Sequence, residues 1–401
     1  DLSITKKLYQ EVNNIVQLGK TMSKTAKAVT IVKPGCIELR EYPVPECPKN
    51  GLILNIEMCG ICGTDKHTYR GETTQYAGTS SEQTSPFPMI PGHEIVGIVD
   101  QVFSGTSDFY GNKITEGDRI TICPDIICNK CFYCKHIFGY TWCENWKGYG
   151  NSFNANENPL MGGWSEKMVV IPETFVYKVP FGLEPELAVY TELMSCAFAF
   201  DKLKDFSNLA SEGFLTGSSV LIQGAGPLGI VHLIMARIIG AGTIIVLDKS
   251  NYRLNAAKTF GADITINIDS FTKEEISEQI FSKTFGRGVD VAVECVGLPE
   301  ALPQALDWIR RGGLYLMEGV FTDMGEIQFN PHLVVSKSLR IIGLSNHPIT
   351  SYQASMDLML RNRDNFPLNK FVTHKFPLEN FNDAMNTALD GDCIKVVFEP
   401  K

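Results

Sequence analysis

From Ser219 onward the sequence follows a pattern that few folds can accommodate. Val220, Leu221 and Ile222 form a short apolar strand; GAGPLG follows at 224–229, then an apolar helical stretch from Ile230 to Ile239. A second strand, Thr243 to Leu247, ends in Asp248. Within this Gly224–Pro227–Leu228–Gly229 turn, Gly224 permits the tight bend and Gly226 lets backbone approach a pyrophosphate. Gly229 lets the helix pack on the strand. The helix start then offers unpaired N–H groups to an anion. A bare glycine turn would be ambiguous. A strand before it, a helix after it and an acid at the next strand end together specify a dinucleotide cradle. Asp248 would accept bonds from ribose hydroxyls and repel a 2′-phosphate, which favours NAD over NADP.

The alternation continues, with strands expected at 288–297 (GVDVAVECVG), 312–319 (GGLYLMEG) and 339–345 (LRIIGLS) and helical stretches between most of them. Buried β-branched strands alternating with helices predict an α/β fold with a doubly wound parallel sheet.

The first half is organised by cysteine. Of twelve in the chain, Cys128, Cys131 and Cys134 are spaced by two residues, with Cys143 just beyond. CxxC turns deliver thiolates to one side of an ion, and four thiolates leave no open position, so this loop predicts a structural zinc site. Cys123 falls outside the spacing and is expected to be a spare thiol in a strand. Upstream stand CGICGTDKH (59–67) and PGHE (91–94). A catalytic zinc needs a ligand set that leaves one position free, and Cys62 and His93 can supply two such ligands. Glu94, or a carboxylate from elsewhere, can complete the set or hold a ligand's second proton. Thr64 and His67 offer a hydroxyl and an imidazole for relaying a proton to solvent.

Together these residues identify a family resemblance. GICGTDKH, PGHE, GDRI, the CxxCxxC loop, GGWSE (162–166), GAGPLG and GVDVAVECVG occur in the order found in zinc-dependent medium-chain dehydrogenase/reductases. The chain resembles that family, which includes alcohol, sorbitol, threonine and glucose dehydrogenases, from about Ala26 to its end. The resemblance implies a GroES-like, mostly-β catalytic domain beside a Rossmann nucleotide domain. It implies Cys62 and His93 as catalytic zinc ligands, Glu94 as an adjacent acid that binds or approaches the zinc, and Asp65 as a carboxylate orienting the histidine. Thr64 and His67 correspond to the proton relay, and Cys128, Cys131, Cys134 and Cys143 to the structural site. Asp248 corresponds to the ribose-binding acid, and Arg253 to a basic residue beside the adenosine ribose.

The remaining catalytic ligand differs between members, an acid in the polyol branch and a cysteine in simple alcohol dehydrogenases. In YTELMSCAFAF (190–200), Glu192 falls on the acid position and Leu193 replaces the usual proline; Glu192 is preferred over the nearby Cys196. The gap from Cys134 to Cys143 is one residue longer than usual, so that loop is expected to bulge.

The expected organisation is an N-terminal helical extension at 1–25, a catalytic zinc-binding domain at 26–190 and 336–401, and an NAD-binding Rossmann domain at 191–335. The irregular segment 71–88 reads as a surface loop or as a specificity loop over the zinc. The expected function is reversible hydride transfer between NAD and a secondary, polyol or otherwise functionalised alcohol, with two zinc ions per subunit. The alternatives are a zinc-free NADPH-dependent enoyl or quinone reductase on the same fold, and a non-enzymatic zinc-binding interaction protein. With 36 Lys and Arg against 45 Asp and Glu, the net charge of −9 argues against a nucleic-acid partner. No apolar run is long enough to cross a membrane. Clustered reduced cysteines point to the cytoplasm, although the first residue, Asp1, leaves a removed leader open. A homodimer or homotetramer acting on a small-molecule alcohol or carbonyl is expected.

Overall fold

The computed structural model describes residues 24–204 and 213–400. The helix expected within residues 1–25 thus lies almost entirely outside the described residues.

Two sheets organise the chain. The first has seven strands, mostly antiparallel, in the order Val176–Lys178, Arg119–Ile122, Ile95–Val102, Leu52–Gly60, Lys395–Phe398 and Val372–Phe376, with Lys167–Val170 also paired to Leu52–Gly60. Leu52–Gly60 runs through its centre and is buried along most of its length, which suits its apolar sequence LILNIEMCG. Its neighbour Lys395–Phe398 comes from the far end of the chain, pairing Val397 with Gly60 and Phe398 with Cys59. The helix Phe381–Asp390, closed by Gly391 in the left-handed region (φ 89), crosses between the parallel strands Val372–Phe376 and Lys395–Phe398.

The second sheet has six parallel strands in the order Ile264–Asn267, Ile244–Asp248, Val220–Gln223, Val289–Glu294, Ile309–Met317 and Arg340–Gly343. In chain order this is 3-2-1-4-5-6, the Rossmann arrangement. The sixth strand, Arg340–Gly343, pairs with Ile309–Met317, so this sheet extends past residue 335. All four residues of Val220–Gln223 are buried, as expected of a strand covered on both faces. The chain reverses direction across the sheet between Val220–Gln223 and Val289–Glu294. A crevice therefore opens at the carboxyl ends of those strands.

One apolar core joins the units. It gathers Met58, Val96 and Cys123 from the first with Val220, Ile222 and Val293 from the second. Helices Thr191–Cys196 and Tyr352–Asn362 run through it, carrying Met194 and Met356. This core seats Glu192 at the junction.

Candidate active site between the two sheets

Residues of both units line a single cleft of about 630 Å³, including Cys62, Thr64, His67, His93, Glu94 and Glu192 on one side. Gly224, Gly226, Pro227, Leu228, Asp248 and Arg253 face them from the other. Gly229 lies just behind, inside the helix that follows.

Cys62 caps the short helix Gly63–Arg70, and Asp65 ties that helix to the PGHE segment. The Asp65 carboxylate, 1 % exposed, accepts the amide of Cys62 at 2.8 Å and that of Gly92 at 3.3 Å. One buried acid thus sets the distance between the segments bearing Cys62 and His93. His93 turns Nδ1 toward Asp65 at 3.9 Å, where it has no hydrogen-bond partner. Gly92 is required in the left-handed region (φ 93), because a Cβ there would sit 2.3 Å from the Trp164 ring and 2.6 Å from the Cys59 sulfur. Burial opposes charge on the His93 ring, but the neighbouring Cys62, Asp65 and Glu192 outweigh it and raise its pKa well above the usual imidazole range.

Thr64 places its hydroxyl 4.0 Å from the Cys62 sulfur. His67 stands one turn further along the helix, its Nδ1 held by Glu72 at 2.5 Å and its side chain partly open to solvent.

Glu94 is fully buried, and both of its oxygens lie 2.6 Å from the Lys395 ammonium. Lys395 also donates to the Ile61 carbonyl at 3.3 Å. Gly60 leaves the room for this pair, since a Cβ there would meet Glu94 Oε2 at 1.9 Å. Glu94 is therefore committed to an internal cation, a partner 301 residues away that sequence spacing does not reveal.

Glu192 projects from Thr191–Cys196 with its Oε1 3.7 Å from His347 Nδ1. Burial, opposed by His93 and reinforced by Glu94 and Asp125, pushes its carboxyl up to about 8. Among the described residues, metal-ligating atoms of Glu192, Cys196 and His347 lie within 4.8 Å of one another, as do those of Cys123, Asp125 and His347; no such trio includes Cys62 or His93. His347 and Asp125 were not anticipated from the sequence. His347 donates to or accepts from Tyr352 Oη at 2.6 Å, and burial together with His93 pushes its ring down to about 3. Its position just past Arg340–Gly343 gave the available signal, because ligands gather at the carboxyl ends of parallel strands. Asp125 accepts bonds from the Trp146 indole and from Asn346 Nδ2, the latter at 3.3 Å, and Cys123 points at it from 3.7 Å.

The segment 71–88 crosses to the other unit. Gln75 forms an isolated β-bridge with Thr322, and Tyr76 packs edge-on against Trp146 and Phe321, with ring centroids 5.2 and 5.4 Å apart. Asn346 Nδ2 donates to Tyr76 Oη at 2.5 Å.

The four-cysteine lobe forms a separate site. The sulfurs of Cys128, Cys131, Cys134 and Cys143 all lie within 4.8 Å of one another. A tetrahedron with Zn–S bonds of about 2.3 Å requires sulfurs roughly 3.8 Å apart, so the set fits zinc. Amides of Cys128 and Asn145 donate to the Cys143 sulfur at 3.2 and 3.3 Å. Burial pushes the Cys128 thiol up, but the amides of Lys130 and Cys131 outweigh it and bring it down to about 6. In the loop before Cys143, Gly139 takes φ 105 and its carbonyl accepts the Ile349 amide at 2.7 Å. At the cleft, Cys62, His93 and Glu192 offer a thiol, an imidazole and a buried carboxylate, donor types that zinc takes with one position open, while the ligating atoms already drawn together beside them are those of Glu192, Cys196 and His347.

On the nucleotide side, Gly224 takes φ 102, and a Cβ there would approach the Cys295 carbonyl to 3.0 Å. A Cβ on Gly229 would overlap the Gly224 carbonyl at 1.9 Å. At Gly226, which caps helix Pro227–Ile238 without a side-chain bond, a Cβ would meet only the Arg253 guanidinium, at 3.8 Å. Asp248 braces the turn: its oxygens accept the Ala225 amide at 2.7 Å and the Ser250 amide at 2.8 Å.

Comparison with known proteins agrees with this layout. Residues 48–181 match the alcohol dehydrogenase GroES-like domain, and residues 227–361 match the zinc-binding dehydrogenase domain. L-threonine 3-dehydrogenase of Pyrococcus furiosus is 31% identical over 94% of this chain and 99% of its own. The 5-exo-hydroxycamphor dehydrogenase of Pseudomonas putida is 27% identical over 93% of this chain and 98% of its own. Among solved structures, an alcohol dehydrogenase of Thermotoga maritima superposes with a TM-score of 0.83 at 30% identity, covering 94% of this chain and all of that one. A zinc-binding dehydrogenase of Sinorhizobium meliloti bound to NADP aligns with a TM-score of 0.78 at 26% identity, over 94% of this chain and all of its own.

Proposed function

The chain belongs to the zinc-dependent medium-chain dehydrogenase/reductase family, and from that premise we propose that it oxidises a secondary or otherwise functionalised alcohol, polyols included, with NAD as acceptor. The observation that carries the proposal is Asp65, which fixes the Cys62 and His93 segments together in the cleft that the glycine turn enters.

Cys62 and His93, with Glu192 as the acid whose charge acts on His93, would hold the catalytic zinc. Cys128, Cys131, Cys134 and Cys143 would hold a second, structural one. Zinc at the first site supplies Lewis acidity that eases loss of the hydroxyl proton, and the nicotinamide supplies the hydride acceptor. The alcohol proton leaves through Thr64 Oγ1 toward His67, whose imidazole is oriented by Glu72 and partly open to solvent. The Asp65 charge faces His93 Nδ1 at 3.9 Å, which leaves the other ring nitrogen for the metal. Glu94, neutralised by Lys395, lies behind the ligands. Tyr76 of the 71–88 segment packs on Trp146 and Phe321 and bonds Asn346, all of which line the cleft, so the segment supports the wall of the substrate pocket. The relatives named for threonine and hydroxycamphor support a functionalised substrate.

The test combines metal analysis with a screen of primary alcohols, secondary alcohols, polyols and hydroxy amino acids for NAD reduction. About two zinc ions per chain and turnover with at least one alcohol class are expected. A metal-free protein that reduces enones or quinones with NADPH would overturn the proposal, as would a single zinc with no turnover.

Asp248 carries the preference for NAD. Asp248→Asn keeps the size and removes the charge that opposes a 2′-phosphate. The kcat/KM ratio of NAD to NADP should fall by about 10-fold or more, because close like charges cost on the order of a few kcal/mol. An unchanged ratio would remove Asp248 from that role.

A further inference from the structure

Glu192 and Cys196 stand four residues apart on the helix Thr191–Cys196, so their side chains are neighbours on one face. His347 reaches that face from beyond the strand Arg340–Gly343. One ligating atom from each, a carboxylate oxygen, a thiol sulfur and an imidazole nitrogen, lies within 4.8 Å of the other two. All three residues line the cleft. The reaction proposed above makes no use of Cys196 or His347.

The spacing is that of donors around an ion. Tetrahedral bonds of about 2.0–2.3 Å put neighbouring ligand atoms roughly 3.3–3.8 Å apart, and Glu192 Oε1 already stands 3.7 Å from His347 Nδ1. That is too far for a hydrogen bond between them. The other ring nitrogen, Nε2, is tied to Tyr352 Oη at 2.6 Å, and the Tyr352 ring stacks on Tyr177 with centroids 4.7 Å apart. A hydrogen bond on the far nitrogen is how proteins orient a ligating imidazole. The Cys196 thiol donates to the Glu192 carbonyl at 3.8 Å, which leaves the sulfur lone pairs free. A thiolate, an imidazole and a carboxylate together suit zinc better than a hard cation such as magnesium.

We propose that Glu192, Cys196 and His347 form a second metal site in the cleft, which takes zinc in addition to the ion proposed for Cys62 and His93 and inhibits the enzyme when filled. Binding displaces the Cys196 thiol proton to solvent. The ion occupies space in the cleft that alcohol and nicotinamide must share, and it competes for the Glu192 carboxylate. Two cations that share one carboxylate repel each other, so this one binds more weakly and loads only when zinc exceeds two per chain. The binding stands on the geometry of the three donors; the inhibition rests on the dehydrogenase reading above.

The test is equilibrium dialysis of zinc against the parent protein, Cys196→Ser and His347→Gln, with initial rates measured at the same free zinc. The parent should keep two ions after loose metal is removed and take a third as free zinc rises, its rate falling along the same curve. Each substitution removes one of three donors. Affinity for the third ion should fall at least about 10-fold, the loss that disturbing even the residues behind metal ligands produces. Inhibition should move to higher zinc by the same factor. Both variants should keep the two tight ions, which also shows that they fold. A third ion held equally by the parent and both variants would overturn the site, as would no third ion up to about 1 mM free zinc. Loss of a tight ion in both variants would also overturn it, by making Cys196 and His347 ligands of the first zinc. A parent that holds only the four-cysteine zinc tightly, and whose next ion is weakened by both substitutions, would keep this site and overturn the one at Cys62 and His93.

Discussion

Cys62→Ala is expected to lower kcat/KM at least about 1,000-fold and, on the proposed two-site reading, to leave zinc only in the four-cysteine lobe. Lewis-acid stabilisation of a developing oxyanion is worth several kcal/mol, and each 1.36 kcal/mol is about tenfold in rate. Cys62 is also one of the two residues that Asp65 fixes in place, so its loss leaves His93 without the sulfur beside it. The lobe of Cys128, Cys131, Cys134 and Cys143 forms its own small apolar cluster with Ile127 and Trp146 and should keep its ion. Zinc per chain, measured with kinetics on the same preparation, should therefore fall from about two to about one. Activity within tenfold of the parent would remove Cys62 from the catalytic set. Loss of both ions would instead show that the two sites fold as one.

Lys395→Met is expected to destabilise the protein by about 3–5 kcal/mol, the usual result of stranding one partner of a buried ion pair. Lys395 is 1% exposed, and its ammonium meets both Glu94 oxygens at 2.6 Å. Its charge also acts on Glu192, so removing it leaves several buried acids with His93 as their main counterweight. The double variant Glu94→Gln/Lys395→Met removes the stranded charge and should regain most of the loss, because a neutral pair of similar volume is often no worse than the ion pair it replaces. Urea unfolding of the parent, both single variants and the double variant gives the coupling energy directly. A loss below about 1 kcal/mol in Lys395→Met would show that Glu94 finds another partner.

What the sequence revealed depended on local spacing. The strand, glycine turn, helix and Asp248 are contiguous, so their backbone roles follow from residue type alone: a Cβ at Gly229 would overlap the Gly224 carbonyl. The four lobe cysteines fall within sixteen residues and share one cage. Glu94 was legible as an acid near Cys62 and His93, but its pairing with Lys395 was not, because the strand that delivers Lys395 is set by sheet order rather than by any motif. The same holds for His347 and Asp125, which reach the Glu192 pocket from a strand end and a loop. The parallel sheet also takes in Arg340–Gly343, although those residues lie beyond the nearest expected boundary at 335. The strand itself is expected at 339–345 from its apolar run, whereas the boundary at 335 is what the family resemblance implies. A strand's sheet membership is decided by its hydrogen-bonded neighbour, here Ile309–Met317.

The position of Lys395–Phe398 bears on how the chain is made. This strand lies second from one edge of the seven-stranded sheet, between Leu52–Gly60 and Val372–Phe376, yet it is made after every other strand of that sheet. The six parallel strands, by contrast, occupy one continuous run from 220 to 343 and can pair as they emerge. During synthesis the Cys59–Gly60 end of Leu52–Gly60 therefore waits for its second neighbour, because Lys167–Val170 covers only Leu52–Asn55 on that side, and Glu94 waits without its cation. An unpaired apolar strand is a template for misassociation. Nascent chains stalled before residue 395 should thus be the aggregation-prone species, with the nucleotide half already folded.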